Sequence, residues 1–172
     1  MTFTNHLEVP ITDQSARLYL EPLKKIRQIM SAGQRHSAAI EKRCGVNGGQ
    51  LWIMAELEET PDLRIGALVK RLAANQATIS NLVEDLARKG LVERTQDPSD
   101  LRATMIRLTA NGAKVLAKAP QPPRGVLPEA LRQLDKKTID QLSKSLQTLI
   151  EKMDGIDEQF GMQLLQFNLN AK

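Results

Sequence analysis

Apolar positions recur at spacings of three and four over most of this chain, with one stretch that alternates instead. Tyr19, Leu23, Ile26 and Met30 begin a seam that continues through Gly33 and Ser37 to Ile40, which predicts a long helix over about 15–43. The seam starts bulky and becomes small, so it suits close approach of another helix or the wall of a cavity. Pro22 is best tolerated in a first turn, so the helix is expected to kink or restart there. Cys44-Gly45-Val46-Asn47 closes it, and Asn47 caps a second helix that faces Leu51, Met54 and Leu57 inward. After the break at Thr60-Pro61-Asp62, a short helix carries Ile65, Leu68, Val69 and Leu72 on one face. Asn75 caps the next helix, whose stripe is Ile79, Leu82, Val83 and Leu86, and Gly90 stops it.

The period then falls to two. Residues 91–94 and 104–108 read as the strands of a β-hairpin with Asp97-Pro98-Ser99-Asp100 as its turn. Thr109 caps a helix to about residue 118, which Pro120, Pro122, Pro123 and Gly125 interrupt. A last helix over about 129–154 repeats Ile139, Leu142, Leu146, Leu149 and Met153, and Ile156 and Phe160 extend the seam. Two heptads are too short for an independent coiled coil but suffice for a helical interface between subunits. Residues 1–14 form a polar arm without a clear period. The expected organisation is an N-terminal arm and helix (1–46), a unit of short helices and a hairpin (47–118), and a C-terminal helix and tail (119–172). The fold class is mainly α with a small β-hairpin wing.

Composition narrows the function. The chain has 172 residues and 41% hydrophobic content, which excludes general disorder. Three Phe, one Trp and one Tyr disfavour a surface of stacked rings for RNA. The net charge of +4 is uneven: residues 61–114 carry nine Lys/Arg against six Asp/Glu, a net of +3. A dimer would double that excess on one face. A single cysteine excludes an intrachain disulfide and a cysteine zinc site. With no apolar run of about 18–20 residues and no leader pattern, a soluble, cytoplasmic protein with no membrane association is expected. There is no phosphate loop, metal-ligand spacing or nucleophile–base motif, so no catalytic residue, metal or cofactor is expected.

Two short helices followed by a hairpin suit double-stranded DNA: one helix enters the major groove and the hairpin reaches the flanking backbone or minor groove. With the apolar stripe of 75–89 facing the core, the opposite N-terminal face presents Gln76, Ala77, Thr78, Ser80 and Asn81. Gln and Asn pair with adenine, Ala and the Thr methyl meet thymine methyls, and hydroxyls serve bases or phosphates. Arg102, just past the turn, fits a narrow minor groove, and Asp100 lies on the same side of an extended strand to brace it. Arg64, Lys70, Arg71, Arg88 and Arg94 are candidate phosphate contacts, of which two or three are expected to matter.

Residues 50–114 resemble the winged helix–turn–helix of the MarR family of bacterial transcription regulators. The resemblance is carried by Gln50-Leu51-Trp52, Leu68-Val69-Lys70-Arg71-Leu72, the 78–83 and 86–94 stretches, and the wing Asp97-Pro98-Ser99-Asp100-Leu101-Arg102 ending in Leu108-Thr109-Ala110-Asn111-Gly112. It implies a homodimer on a pseudo-palindromic operator, with two recognition helices in successive major grooves and two wings in the flanking minor grooves. Asn81 stands where the family often has a basic residue, and Leu101 replaces an arginine beside Arg102; both changes reduce phosphate attraction.

The resemblance also implies a small effector, often an aromatic acid or phenol, in a cleft between the dimerisation helices and the DNA-binding lobe. Arg17, Met30, His36, Arg43 and Trp52 lie on or near the elements expected to wall it. His and Arg would fix a carboxylate, while Trp52 and Met30 cover a ring. The expected function is that of a repressor released by such an effector. Two alternatives stand beside it: a winged-helix module that binds protein, and a redox-responsive regulator acting through Cys44, whose neighbours Lys42 and Arg43 would lower its pKa.

Overall fold

The computed structural model describes residues 17–97 and 100–156. Among the described residues, seven helices and a small antiparallel sheet run in the order α1 (Leu20–Cys44), α2 (Gly48–Glu59), β1 (Leu63–Arg64), α3 (Ile65–Leu72), α4 (Gln76–Arg88), β2 (Val92–Asp97), β3 (Asp100–Leu108), α5 (Ala110–Ala117), α6 (Val126–Arg132) and α7 (Lys136–Ile150). The arm at 1–14, the turn residues Pro98 and Ser99, and Phe160 lie outside the described residues.

Helix α1 restarts as expected: Tyr19 is a turn residue and Pro22 falls in the first turn after it. Gly33, Ser37 and Ile40 are buried against the body, whereas Tyr19, Ile29 and Met30 are exposed. Gly45 ends the helix at φ 65°, returning its N–H to Glu41. Asn47 and Gln50 then form a reciprocal capping box that opens α2.

Helix α2 is the axis of the core, with Leu51, Ile53, Met54 and Leu57 all fully buried. Around it pack Leu68 and Leu72 of α3, Ile79, Val83 and Leu86 of α4, and Ile106 of β3. The stripes expected for α2, α3 and α4 reach this cluster, as does Ile40 of α1, whereas the Tyr19–Met30 part of the first seam and the stripe of the last helix do not.

The sheet has three strands rather than the two of a simple hairpin, in the order β1-β3-β2. Leu63 pairs with Ile106 and Arg64 with Met105. A two-residue strand leaves no periodicity to read; it exists because β3 offers it an edge. The hairpin proper pairs Val92 with Leu108 through Gln96 with Thr104, with an irregular step before Asp97 meets Asp100.

The expected single helix over 129–154 divides into α6 and α7. Gln133 and Leu134 close α6 with short-turn bonds to Ala130 and Leu131. The Asp135 carboxylate then accepts from the Thr138 N–H at 3.0 Å and starts a new helix. Helix α7 has no buried side chain.

Candidate nucleic-acid interface

The turn between α3 and α4 is Ala73-Ala74-Asn75, with Ala73 in the left-handed region at φ 50°. Asn75 Oδ1 accepts from the Thr78 N–H at 2.7 Å, so the first turn of α4 is closed internally. With Ile79, Leu82, Val83 and Leu86 turned into the core, two neighbouring rows remain: Gln76 with Ser80, and Ala77 with Asn81. Gln76, Ala77 and Asn81 are exposed, while Thr78 and Ser80 are half-buried. Of the five expected groove-reading residues, Gln76, Ala77 and Asn81 therefore face solvent on the N-terminal half of α4, with Ser80 and Thr78 at the margins of that face.

Gly90, at φ 68°, closes α4 with Gly90 N–H on Ala87 and Leu91 N–H on Leu86. The chain runs directly into β2. At the far end of β3, Thr109 donates from its hydroxyl to the Gly90 carbonyl at 2.8 Å and accepts from the Gly112 N–H at 3.0 Å. That one side chain ties the end of α4 to the start of α5, and so sets the root of the wing.

The candidate phosphate contacts divide. Lys70 and Arg94 are exposed and have no ion-pair partner among the described residues. Arg88 is exposed beside Asp85 on its own helix. Arg71 is drawn inward: Nη1 donates to Glu56 Oε2 and to Thr60 Oγ1, each at 3.1 Å. Arg64 is bound to Asp97 and lies 3.8 Å from Asp100. Carboxylates distant in sequence thus hold two of the five candidates, which leaves Lys70, Arg88 and Arg94 as the candidate phosphate contacts. Asp100, expected beside Arg102, lies next to Arg64; the Arg102 side chain lies outside the described part of its strand.

The five residues expected to wall an effector cleft do not converge. About 20 Å of helix rise separates Met30 from Arg43, too far for one small ligand. Arg17 precedes the restart of α1. His36 meets the proline-rich connector directly, and Trp52 shares a Glu56 oxygen with Arg124 of that connector. His36 donates from Nε2 to the Pro122 carbonyl at 3.0 Å, and Trp52 donates from Nε1 to Glu56 Oε1 at 3.0 Å. Glu56 also receives Arg124 Nε at 2.8 Å, and Arg124 reaches Glu59 at 2.5 Å.

This buried Glu56 hub was not read from the sequence. Burial alone would push the Glu56 carboxyl up, but the donors Arg124, Trp52 and Arg71 outweigh it and hold the group below its ordinary value. Only the acidic tail of an otherwise apolar helix, Glu56-Leu57-Glu58-Glu59, hints at it. Cys44 is half-buried, with Sγ 3.8 Å from the Val115 carbonyl. Burial pushes its thiol up by more than Arg43 and Lys118 lower it.

An exposed, small-residue helix face beside a three-stranded wing defines a winged helix–turn–helix DNA-binding protein. The MarR family profile matches residues 46–104. The transcriptional regulator HosA of Escherichia coli O111:H- is 29% identical over 97 residues, covering 56% of this chain and 72% of that protein. The HTH-type transcriptional repressor NicR of Pseudomonas putida is 30% identical over 112 residues, covering 61% and 71%. The YusO protein of Bacillus subtilis shares the fold at a TM-score of 0.51 and 20% identity, covering 83% of this chain and 99% of that one. The chain belongs to the MarR family of transcriptional regulators and is a DNA-binding regulator, not an enzyme. Among the described residues no helix is long and apolar enough to cross a membrane.

Proposed function

We propose that this regulator is a homodimeric repressor that binds a pseudo-palindromic operator in the cytoplasm and is released by a small effector. The observation that carries the reading is the exposed row of Gln76, Ala77 and Asn81 on α4, adjacent to the wing. In it, Gln76, Ala77, Thr78, Ser80 and Asn81 read base edges. Lys70, Arg88 and Arg94 meet phosphates, and Arg102 enters the flanking minor groove. Repression is supported by the name of the relative NicR. Dimerisation is supported by the exposed apolar side chains at the start of α1 and along α7. An aromatic acid or phenol remains the effector class implied by the family. The approach of His36 and Trp52 to the proline-rich connector favours that end of α1 as its site. Release follows if the effector binds better to a dimer whose two heads are misplaced for successive grooves.

The test is selection of duplexes from a random library with the full-length protein, followed by binding across a salt series. Recovery of inverted repeats, with log Kd rising steeply in log salt, is expected. Gln76→Ala should cost about 1–3 kcal/mol of discrimination at one base pair per half-site. Arg102→Ala should weaken binding without lowering the melting temperature. Sequence-blind recovery, or unchanged affinity for Arg102→Ala, would reject the interface and favour a protein-binding winged helix.

A further inference from the structure

We propose that Arg64 is the positioning residue of the wing, a clasp that makes the hairpin and the helix–turn–helix a single rigid reading head. The inference rests on the DNA-binding reading of α4 and the wing.

Arg64 is in two elements at once: it is the N-cap residue of α3, and in β1 it pairs with Met105 of β3. Its guanidinium spans both arms of the hairpin. Nε donates to Asp97 Oδ2 at 2.9 Å, Nη2 donates to the same oxygen, and Nη1 lies 3.8 Å from Asp100 Oδ2. Asp97 and Asp100 are register partners at the turn end of the hairpin, and Asp97 is only 7% exposed. A planar guanidinium suits this place because its donors point along fixed directions toward both strands.

A second pair of opposite polarity flanks the same strand. Arg107 of β3 donates from Nε and Nη2 to the two oxygens of Asp62, at 2.9 and 2.6 Å. Asp62 immediately precedes β1 in a left-handed conformation, φ 62°. The strand that opens α3 is therefore fastened to the wing on both sides. A hairpin held only by its own ladder would swing about its root, and a displacement there moves its tip several ångströms relative to α4. With the clasp closed, the wing is set at one distance from the recognition helix.

A simpler role would be electrostatic, in which Arg64 merely neutralises carboxylates that would repel phosphates. The two roles predict opposite signs. Binding of full-length Arg64→Lys, Asp97→Asn and Arg64→Gln/Asp97→Asn to a duplex selected by the wild type separates them. Melting temperature serves as the folding control, and amide hydrogen exchange of residues 92–108 reports the wing directly. For a clasp, Arg64→Lys and Asp97→Asn each weaken binding by about tenfold, within the range for coupled contacts, and the double variant is no weaker than either. Exchange in the wing rises while the buried α2 amides stay protected. For simple neutralisation, Asp97→Asn binds more tightly, Arg64→Lys binds like the wild type, and the double variant is restored. That pattern, additive losses, or unchanged wing exchange would each overturn the proposal. If the wild type selects no duplex, the DNA-binding reading fails on its own, and the exchange data still decide whether the clasp holds the wing.

Discussion

At Gly112 the absence of a side chain lets α5 fold back under the wing. A Cβ there would lie 2.1 Å from the Leu91 carbonyl oxygen and 2.7 Å from Leu108 Cδ1. The first contact is with backbone, so it cannot be relieved by turning a side chain. Neighbouring Thr109 holds the same junction from the other side through Gly90. Gly112→Ala should therefore destabilise the protein by about 1–3 kcal/mol or more, as overpacking does. For a chain of this size that is a fall of several degrees in melting temperature. A melt superimposable on the wild type would show that the junction is looser than described. Thr109 and Gly112 stand in the sequence as a cap and a first-turn glycine. The reason for the glycine is not visible there, because the obstructing carbonyl belongs to Leu91, on the far side of the hairpin.

Among the elements, Glu56 is where α2, α3 and the connector meet. It receives Trp52 from its own helix, Arg71 from α3 and Arg124 from the segment before α6. The Glu56 and Arg124 side chains are only 8% and 13% exposed, so either charge left alone would be poorly solvated. Glu56→Gln should cost about 3 kcal/mol at neutral pH, as breaking a buried pair does. Because the folded carboxyl titrates below its ordinary 4.5, the wild type keeps this contribution above that pH and loses it as pH falls further. Glu56→Gln has no such group to protonate. Thermal melts through an acid titration should therefore show the two proteins converging; parallel curves would exclude Glu56 as the titrating group. The hub also links the first helix of the DNA-reading unit to the connector, so a shift of Arg124 would be felt at Arg71.

On the scale of the whole molecule, the large exposed apolar side chains of the described residues gather mainly at two places. Leu18, Tyr19, Leu20, Ile29 and Met30 line the N-terminal part of the chain, and Leu146, Leu149, Ile150 and Met153 line α7 and its end. Exposed apolar side chains recurring along a helix are what a subunit interface requires. Leu146→Glu with Leu149→Glu should convert the proposed dimer to monomers in sedimentation equilibrium. Operator affinity should fall by 10²-fold or more, since two linked heads bind far better than one. A monomeric wild type that holds an inverted repeat as tightly as the double variant would remove α7 from the interface.

The Asn47, Asn75 and Thr109 caps and the Gly45 and Gly90 stops are legible in the chain because their interactions run between near neighbours, and the helical stripes and the hairpin because their periods of three-and-four and of two are local patterns. The solvent face of α4 follows from the same arithmetic, since a buried stripe defines its opposite. Folding alone brought Arg64 to Asp97, Arg71 and Arg124 to Glu56, and His36 to Pro122, across separations of 33, 15, 68 and 86 positions. Charged side chains on a helix or strand look alike in sequence whether they face water, phosphate or a buried carboxylate. Which of these an arginine meets depends on what the packed core places opposite it. That is why the solvent face of α4 could be drawn from the sequence, while the Arg64–Asp97 pair, the Glu56 hub, the short strand β1 and the break between α6 and α7 came from the fold.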